Sequence, residues 1–243
     1  MRRSQDVLSL VLFLMGSVGY SAEADQVARL SRMILTNEQV VEGISRHQFP
    51  PTMGTRLMYN ADIGNVDRLI WIAGLGARVN MVTSDGWSAL HYASFNGHED
   101  CVRALCDNGA ALNLQTTLGA TALFFASQDG HLKEVRLLCE RGALLDLQRT
   151  DGTTAVFIAS QNGHLEVVRF LCKRGVLLDL QRTDEATALF MAASIGHIEI
   201  VRLLCERGAS TLLQFDGRTP YAYSLQVQGL DSPITTLLST YPH

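Results

Sequence analysis

The sequence predicts an all-α solenoid in which short helix–turn–helix units stack one upon the next, and three observations carry that prediction. The first is internal repetition: the stretch from Gly152 to Gly175 recurs almost word for word one period earlier from Gly119 and, with Glu185 in place of Gly, one period later. The second is a set of fixed columns. Gly97, Gly130, Gly163 and Gly196, each followed by a histidine, are 33 residues apart, and Cys106, Cys139, Cys172 and Cys205 keep the same step, as do Arg103, Arg136, Arg169 and Arg202. A period of about 20 to 50 residues marks an array in which no unit buries its apolar face alone. The third is the pattern within a copy, where Val167, Val168, Leu171 and Cys172 make one apolar helix face and Glu166, Arg169 and Lys173 occupy the other. Gly175 ends that helix at the position where a left-handed residue closes one.

The start of each copy reads Ser88-Ala-Leu-His91-Tyr-Ala93, Thr121-Ala-Leu-Phe124-Phe-Ala126, Thr154-Ala-Val-Phe157-Ile-Ala159, Thr187-Ala-Leu-Phe190-Met-Ala192 and Thr219-Pro220-Tyr-Ala222. With the Gly-His pairs and the closing Arg141-Gly-Ala143 and Arg207-Gly-Ala209, this resembles the ankyrin repeat, a 33-residue unit with a Thr-Pro-Leu-His-x-Ala signature. Phe replaces His in three copies, Ala replaces Pro in four, and Glu185 stands where its neighbours have Gly. The resemblance implies an ankyrin repeat solenoid with a hairpin-like finger projecting between units, a role met by the alternating apolar residues of Leu177 to Asp184. Glu185 then costs on the order of 1 kcal/mol if its site needs a positive φ.

Along the chain, residues 1–24 resemble a signal peptide, with Arg2 and Arg3 before the apolar Val7–Met15 run and a small-x-small site at Ala22-Glu23-Ala24. The alternative is a hydrophobic helix packed on the first repeat; in either case the run is shorter than the roughly 20 residues that span a bilayer. Residues 25–52 are expected to form an N-terminal helical cap, with Leu30, Met33, Ile34, Val40, Val41 and Ile44 at helical spacing and a capping box at Thr36 to Gln39. A degenerate repeat follows at 53–85, because Gly64 lies 33 residues before Gly97 and Gly76-Ala77 lies 33 before Gly109-Ala110. Full repeats are assigned to 86–118, 119–151, 152–184 and 185–216, the last one residue short. Residues 217–243 form a degenerate repeat and C-terminal cap, with Ser232-Pro233 opening a final helix through Leu238.

Composition narrows function by exclusion. A net charge of −4 offers no basic excess for nucleic acid, and carboxylates such as Glu166 and Glu199 lie three residues before Arg169 and Arg202 on the same helix faces. The His and Cys columns invite a metal reading, but equivalent atoms of successive repeats lie roughly 8–10 Å apart, too far to share an ion or a disulfide. The cysteines therefore read as small core hydrophobes, and the resemblance gives the histidines the task of tying down the turn between helices. No nucleophile–base set or phosphate-binding loop is present, so neither an enzyme nor a cofactor is expected. Five thiols fit a reducing compartment while the amino terminus fits the secretory pathway, and localisation stays open between them.

The resemblance implies a non-catalytic protein–protein interaction scaffold, a monomer binding one or more proteins; a secreted or host-directed effector and a regulatory subunit of a separate enzyme are the alternatives. Partner-binding ankyrin proteins use the concave surface of finger tips and first helices. Those positions are Arg149, Thr150, Asp151, Thr153, Gln161 and Asn162 in one copy, Gln128, Asp129, Arg182, Thr183 and Asp184 in its neighbours, and Trp87, Tyr92 and Phe95 in the first full copy. The aromatic end is the favoured anchor. Against it, Trp87 can pack on the preceding finger, and near-identical tips can record duplication alone.

Overall fold

A hydroxyl residue opens the first helix of every helix pair by accepting a backbone N–H that the helix cannot satisfy itself. In the computed structural model, which describes residues 52–241, Ser88, Thr121, Thr154, Thr187 and Thr219 cap in this way at 3.2–3.4 Å. The proposed signal peptide, nearly all of the N-terminal cap and the last two residues lie outside the described range. Among the described residues twelve helices form six pairs: α1 (Met53–Asp62) with α2 (Val66–Gly74), α3 (Ala89–Phe95) with α4 (Glu99–Asp107), α5 (Ala122–Gln128) with α6 (Leu132–Glu140), α7 (Ala155–Gln161) with α8 (Leu165–Lys173), α9 (Ala188–Ile195) with α10 (Ile198–Glu206), and α11 (Pro220–Gln228) with α12 (Pro233–Leu238). Among the described residues there are no strands, only isolated bridges at Val82–Ser88 and Phe215–Arg218.

First helices pack on first helices and second helices on second, giving two layers around one apolar seam. Leu105, Leu138, Leu171 and Leu204 are fully buried in the second layer, facing Leu90, Leu123, Val156 and Leu189 of the first. α2 departs from this pattern: Ile70 and Leu75 are exposed at positions where the later copies carry arginine or asparagine.

Polar side chains bind each unit to the next. The histidine after each turn glycine donates from Nε2 to a carbonyl of the preceding unit: His98 to Asp62, His131 to Phe95, His164 to Gln128 and His197 to Gln161, at 2.8–3.1 Å. The backbone these rings tie down, as the resemblance implies they should, is at the turn of the preceding unit. They fasten neighbouring units, and none makes a side-chain cap on the helix it precedes. The ring also explains the glycine, since a Cβ on Gly130 would lie 2.5 Å from His164 Nδ1. A second column, invisible as a motif, does the same elsewhere: Asn80, Asn113, Asp146 and Asp179 accept the backbone N–H of Ala111, Leu144, Leu177 and Ser210 at 2.7–2.9 Å.

The fingers pair as well. Thr117, Thr150 and Thr183 donate their backbone N–H to the carbonyls of Asp85, Leu118 and Asp151 in the preceding tips. The ladder stops at the last finger, which is one residue shorter and closes instead with Asp216 and Gly217, both at positive φ (51° and 69°), between Phe215 and Arg218. Asp-Gly suits such a two-residue hairpin. Glu185 adopts a φ of 71°, so the strained site expected from the sequence is present.

Candidate docking face

The candidate surface is built by the fingers and the exposed side of the first helices, and its chemistry changes along the stack. In the later units each tip carries its own ion pair: Arg149 with Asp151 at 3.7 Å and Arg182 with Asp184 at 2.9 Å. The guanidinium of Arg182 holds the Asp184 carboxyl below its usual range. Each aspartate also accepts a backbone N–H within its tip, from Thr153 and Ala186, while Arg149 and Arg182 lie over the rings of Phe124 and Phe157, 5.1 and 5.3 Å from the centroids. These arginines are thus part of the fold's packing. Phe takes the place of the signature histidine in these copies, and the ring is what receives the arginine.

The unit opened by α3 differs. Its tip has Thr83, and the next tip Thr116, where the two later tips have Arg149 and Arg182; the Thr83 hydroxyl accepts the N–H of Trp87 at 3.1 Å. Trp87, half-buried, packs its ring against Phe125 of the next unit at 4.3 Å and touches Tyr92 at 5.0 Å and Phe95 at 5.9 Å. Its ring packs forward onto the following unit, while its backbone N–H and carbonyl pair with Thr83 of the preceding finger. Beneath it, His91 is buried, with Nδ1 accepting the Ser88 N–H at 2.9 Å and Nε2 donating to the Leu114 carbonyl at 3.0 Å. Burial depresses its pKa to about 4. Burial, then the carboxylates of Asp62 and Asp85, push the Tyr92 phenol up to about 12.

Between these two units lies a groove of about 420 Å³ walled by Trp87, Phe124, Phe125 and Leu118, with Asp85, Gln128 and Arg149 at its polar edges. Of the residues chosen from sequence, it unites Trp87, Gln128 and Arg149, flanked by Tyr92 and by Phe95, which is 38% exposed. Asp129 is exposed just beyond α5. The others fall in later units. Thr150, Asn162, Thr183 and Asp184 are exposed and Asp151, Gln161 and Arg182 half-buried, with Asn162 donating to the Gln128 carbonyl. Thr153 is only 4% exposed, so the structure removes it from the candidate face. Phe125, Phe124, Leu118 and Asp85 were missed from sequence. Column comparison holds a signal for two of them: Phe125 is aromatic where two of the copies have Ile158 and Met191, and Leu118 replaces the aspartate of Asp85, Asp151 and Asp184.

The cysteines offer no competing chemistry. Cys101, Cys139 and Cys205 are buried, which pushes their thiols up to about 11, and Cys106 and Cys172 are half-buried and also raised by burial. Among the described residues, no three His, Cys, Asp or Glu side chains are placed to share a metal ion, and no helix is long and apolar enough to cross a membrane.

With that geometry in hand, comparison with known proteins assigns the fold. A family model described as "Ankyrin repeats (3 copies)" matches residues 57–149, 108–182 and 141–215. The chain belongs to the ankyrin repeat family. Ankyrin repeats generally mediate protein–protein interaction and are generally non-catalytic. Among curated proteins, this ankyrin repeat chain is similar to the Notch-regulated ankyrin repeat-containing protein of Homo sapiens, 38% identical over 59 residues, which is 24% of this chain and 52% of that protein. The Xenopus tropicalis protein of the same name is 36% identical over 59 residues, with the same shares covered. Protein B of that name from Danio rerio is 38% identical over 59 residues, 24% of this chain and 53% of its own length. The matches thus span about half the length of these relatives.

Proposed function

We propose that this chain is a non-catalytic protein-binding scaffold whose partner docks on the face of fingers and first helices, centred on the groove between Trp87 and Phe125. The observation that carries the reading is the concentration of aromatic side chains there, at one place in an array whose later tips are closed by their own Arg–Asp pairs. Aromatic anchors set in a pocket with a polar rim are the usual centre of a protein interface. Family membership favours the same role, since ankyrin repeats generally act through protein contacts.

The test is affinity capture with tagged full-length chain in three forms, wild type, Trp87→Ala and Arg169→Ala, followed by mass spectrometry. A partner retained by wild type and by Arg169→Ala, on the second-helix side, but lost by Trp87→Ala supports the reading. A partner lost with Arg169→Ala and kept with Trp87→Ala places the interface on the opposite face. Circular dichroism of all three confirms that the array is folded.

A further inference from the structure

We infer that the groove takes an extended peptide segment in which an arginine or lysine stands beside a large apolar side chain; this rests on the docking reading above and adds the chemistry of the ligand. Charge carries the first half of the argument. In the tips at Asp151 and Asp184 an arginine two residues earlier neutralises the carboxylate. Asp85 occupies the same column but has Thr83 in place of the arginine, and its carboxylate forms no hydrogen bond or ion pair among the described residues. It lines the groove beside Trp87, and its field reaches Tyr92, whose phenol is pushed up by burial first, then by Asp62 and Asp85. Among the described residues the one cation lining the groove is Arg149, and its charge is already answered by Asp151 and by the Phe124 ring. The rim at Asp85 is therefore negative, and it adjoins the half-buried Trp87, so a guanidinium or ammonium seated there gains from the carboxylate and from the indole it covers.

Shape carries the second half. Phe125 is 8% exposed and forms the floor, while Leu118 is 58% exposed at the fingertip, where neighbouring copies present aspartate. An apolar side chain next to the basic one covers Leu118 and Phe125 as the basic one covers Trp87. A groove of about 420 Å³ holds a few side chains of a linear segment, a volume toward the lower end of the roughly 300–1,000 Å³ range of small-ligand sites.

The experiment pans a random peptide phage library on the immobilised full chain. Selected peptides are then titrated by fluorescence anisotropy against wild type, Asp85→Asn, Trp87→Ala and Arg169→Ala, each checked by circular dichroism. The expected result is enrichment of Arg or Lys adjacent to Leu, Ile or Phe, with binding weakened about tenfold by Asp85→Asn and more than tenfold by Trp87→Ala, salt dependence falling with Asp85→Asn, and no change with Arg169→Ala. Peptides that need Trp87 but are acidic or uncharged and ignore Asp85→Asn overturn the inference and leave the docking face standing. Peptides indifferent to Trp87→Ala overturn both. If no peptide is selected, or if the chain forms a concentration-dependent dimer that Trp87→Ala abolishes, an extended basic segment is not what fills the groove.

Discussion

Gly152 and Glu185 occupy one column of the repeat, yet substitution should move stability in opposite directions at the two sites. Both have positive φ, 84° and 71°. At Glu185 a side chain in the left-handed region costs about 1–2 kcal/mol, and changing to glycine adds back roughly 0.5–1 kcal/mol of unfolded-state entropy. Glu185→Gly should therefore stabilise by about 0.5–1 kcal/mol. At Gly152 the same conformation meets an occupied space: a Cβ would lie 2.7 Å from the Gln181 carbonyl oxygen and 2.9 Å from Arg182 Cα, both backbone of the next finger. That finger is held by the Thr183 N–H to Asp151 carbonyl bond at 2.8 Å and by Gln148 Nε2 donating to the Gln181 carbonyl at 3.3 Å. It cannot retreat without losing one or both, so Gly152→Ala should cost about 2–4 kcal/mol in total, φ strain plus broken ladder. Urea denaturation followed by circular dichroism reads both values. If Gly152→Ala costs under about 1 kcal/mol, finger-on-finger packing is not what reserves that site for glycine, and if Glu185→Gly destabilises, the positive φ at Glu185 is not strained.

Leu171, fully buried between units, should lose about 2–5 kcal/mol on truncation to alanine, and half-buried Leu237 in the last helix distinctly less, by chemical denaturation. His164→Ala removes the Nε2–H bond to the Gln128 carbonyl at 2.8 Å and should cost about 1–3 kcal/mol, with faster amide exchange in α5 and α7 as the sign that the bond joins units. His91 supplies a pH dependence: burial keeps it neutral down to about 4 while the unfolded imidazole titrates at 6.5, so the unfolded chain binds the extra proton between these values. Its stabilisation is complete above pH 6.5 and falls as pH drops toward 4, by up to about 3 kcal/mol. His91→Phe, which copies its column mates Phe124, Phe157 and Phe190, should flatten that part of the stability profile.

The ankyrin fold was legible because every unit solves the same burial problem, and the solution is written in columns such as Leu105, Leu138, Leu171 and Leu204. What the columns do not carry is the partner of each contact. A residue that bonds within its own unit and one that bonds to the unit before repeat with the same period of 33, so sequence alone could not tell that His164 reaches back to Gln128 or that Asp146 reaches forward to Leu177. The same degeneracy hides what the tip arginines touch. Arg149 and Arg182 read as contact residues free of packing and turn duties; the fold sets Asp151 and Asp184 beside them and a phenylalanine ring beneath.

Regularity also locates where specificity can reside. A position that obeys its column has its side chain committed to stacking: the histidine to a carbonyl of the preceding unit, the Asn or Asp to an N–H of the following one, and the tip arginine to an aspartate and a ring. Substitution there changes stability first. Around the α3 unit two columns are broken side by side, with Leu118 for aspartate in the next tip and Trp87 where the following three copies have Ala120, Thr153 and Ala186, while Thr83 and Thr116 stand where the later tips have Arg149 and Arg182. Each departure removes a stacking duty or adds surface, and together they leave a carboxylate unneutralised and an indole half-covered at one groove. Duplication of an ancestral unit accounts for sameness; departures gathered at one groove are what the proposed docking role calls for, because a side chain released from stacking is open to a partner.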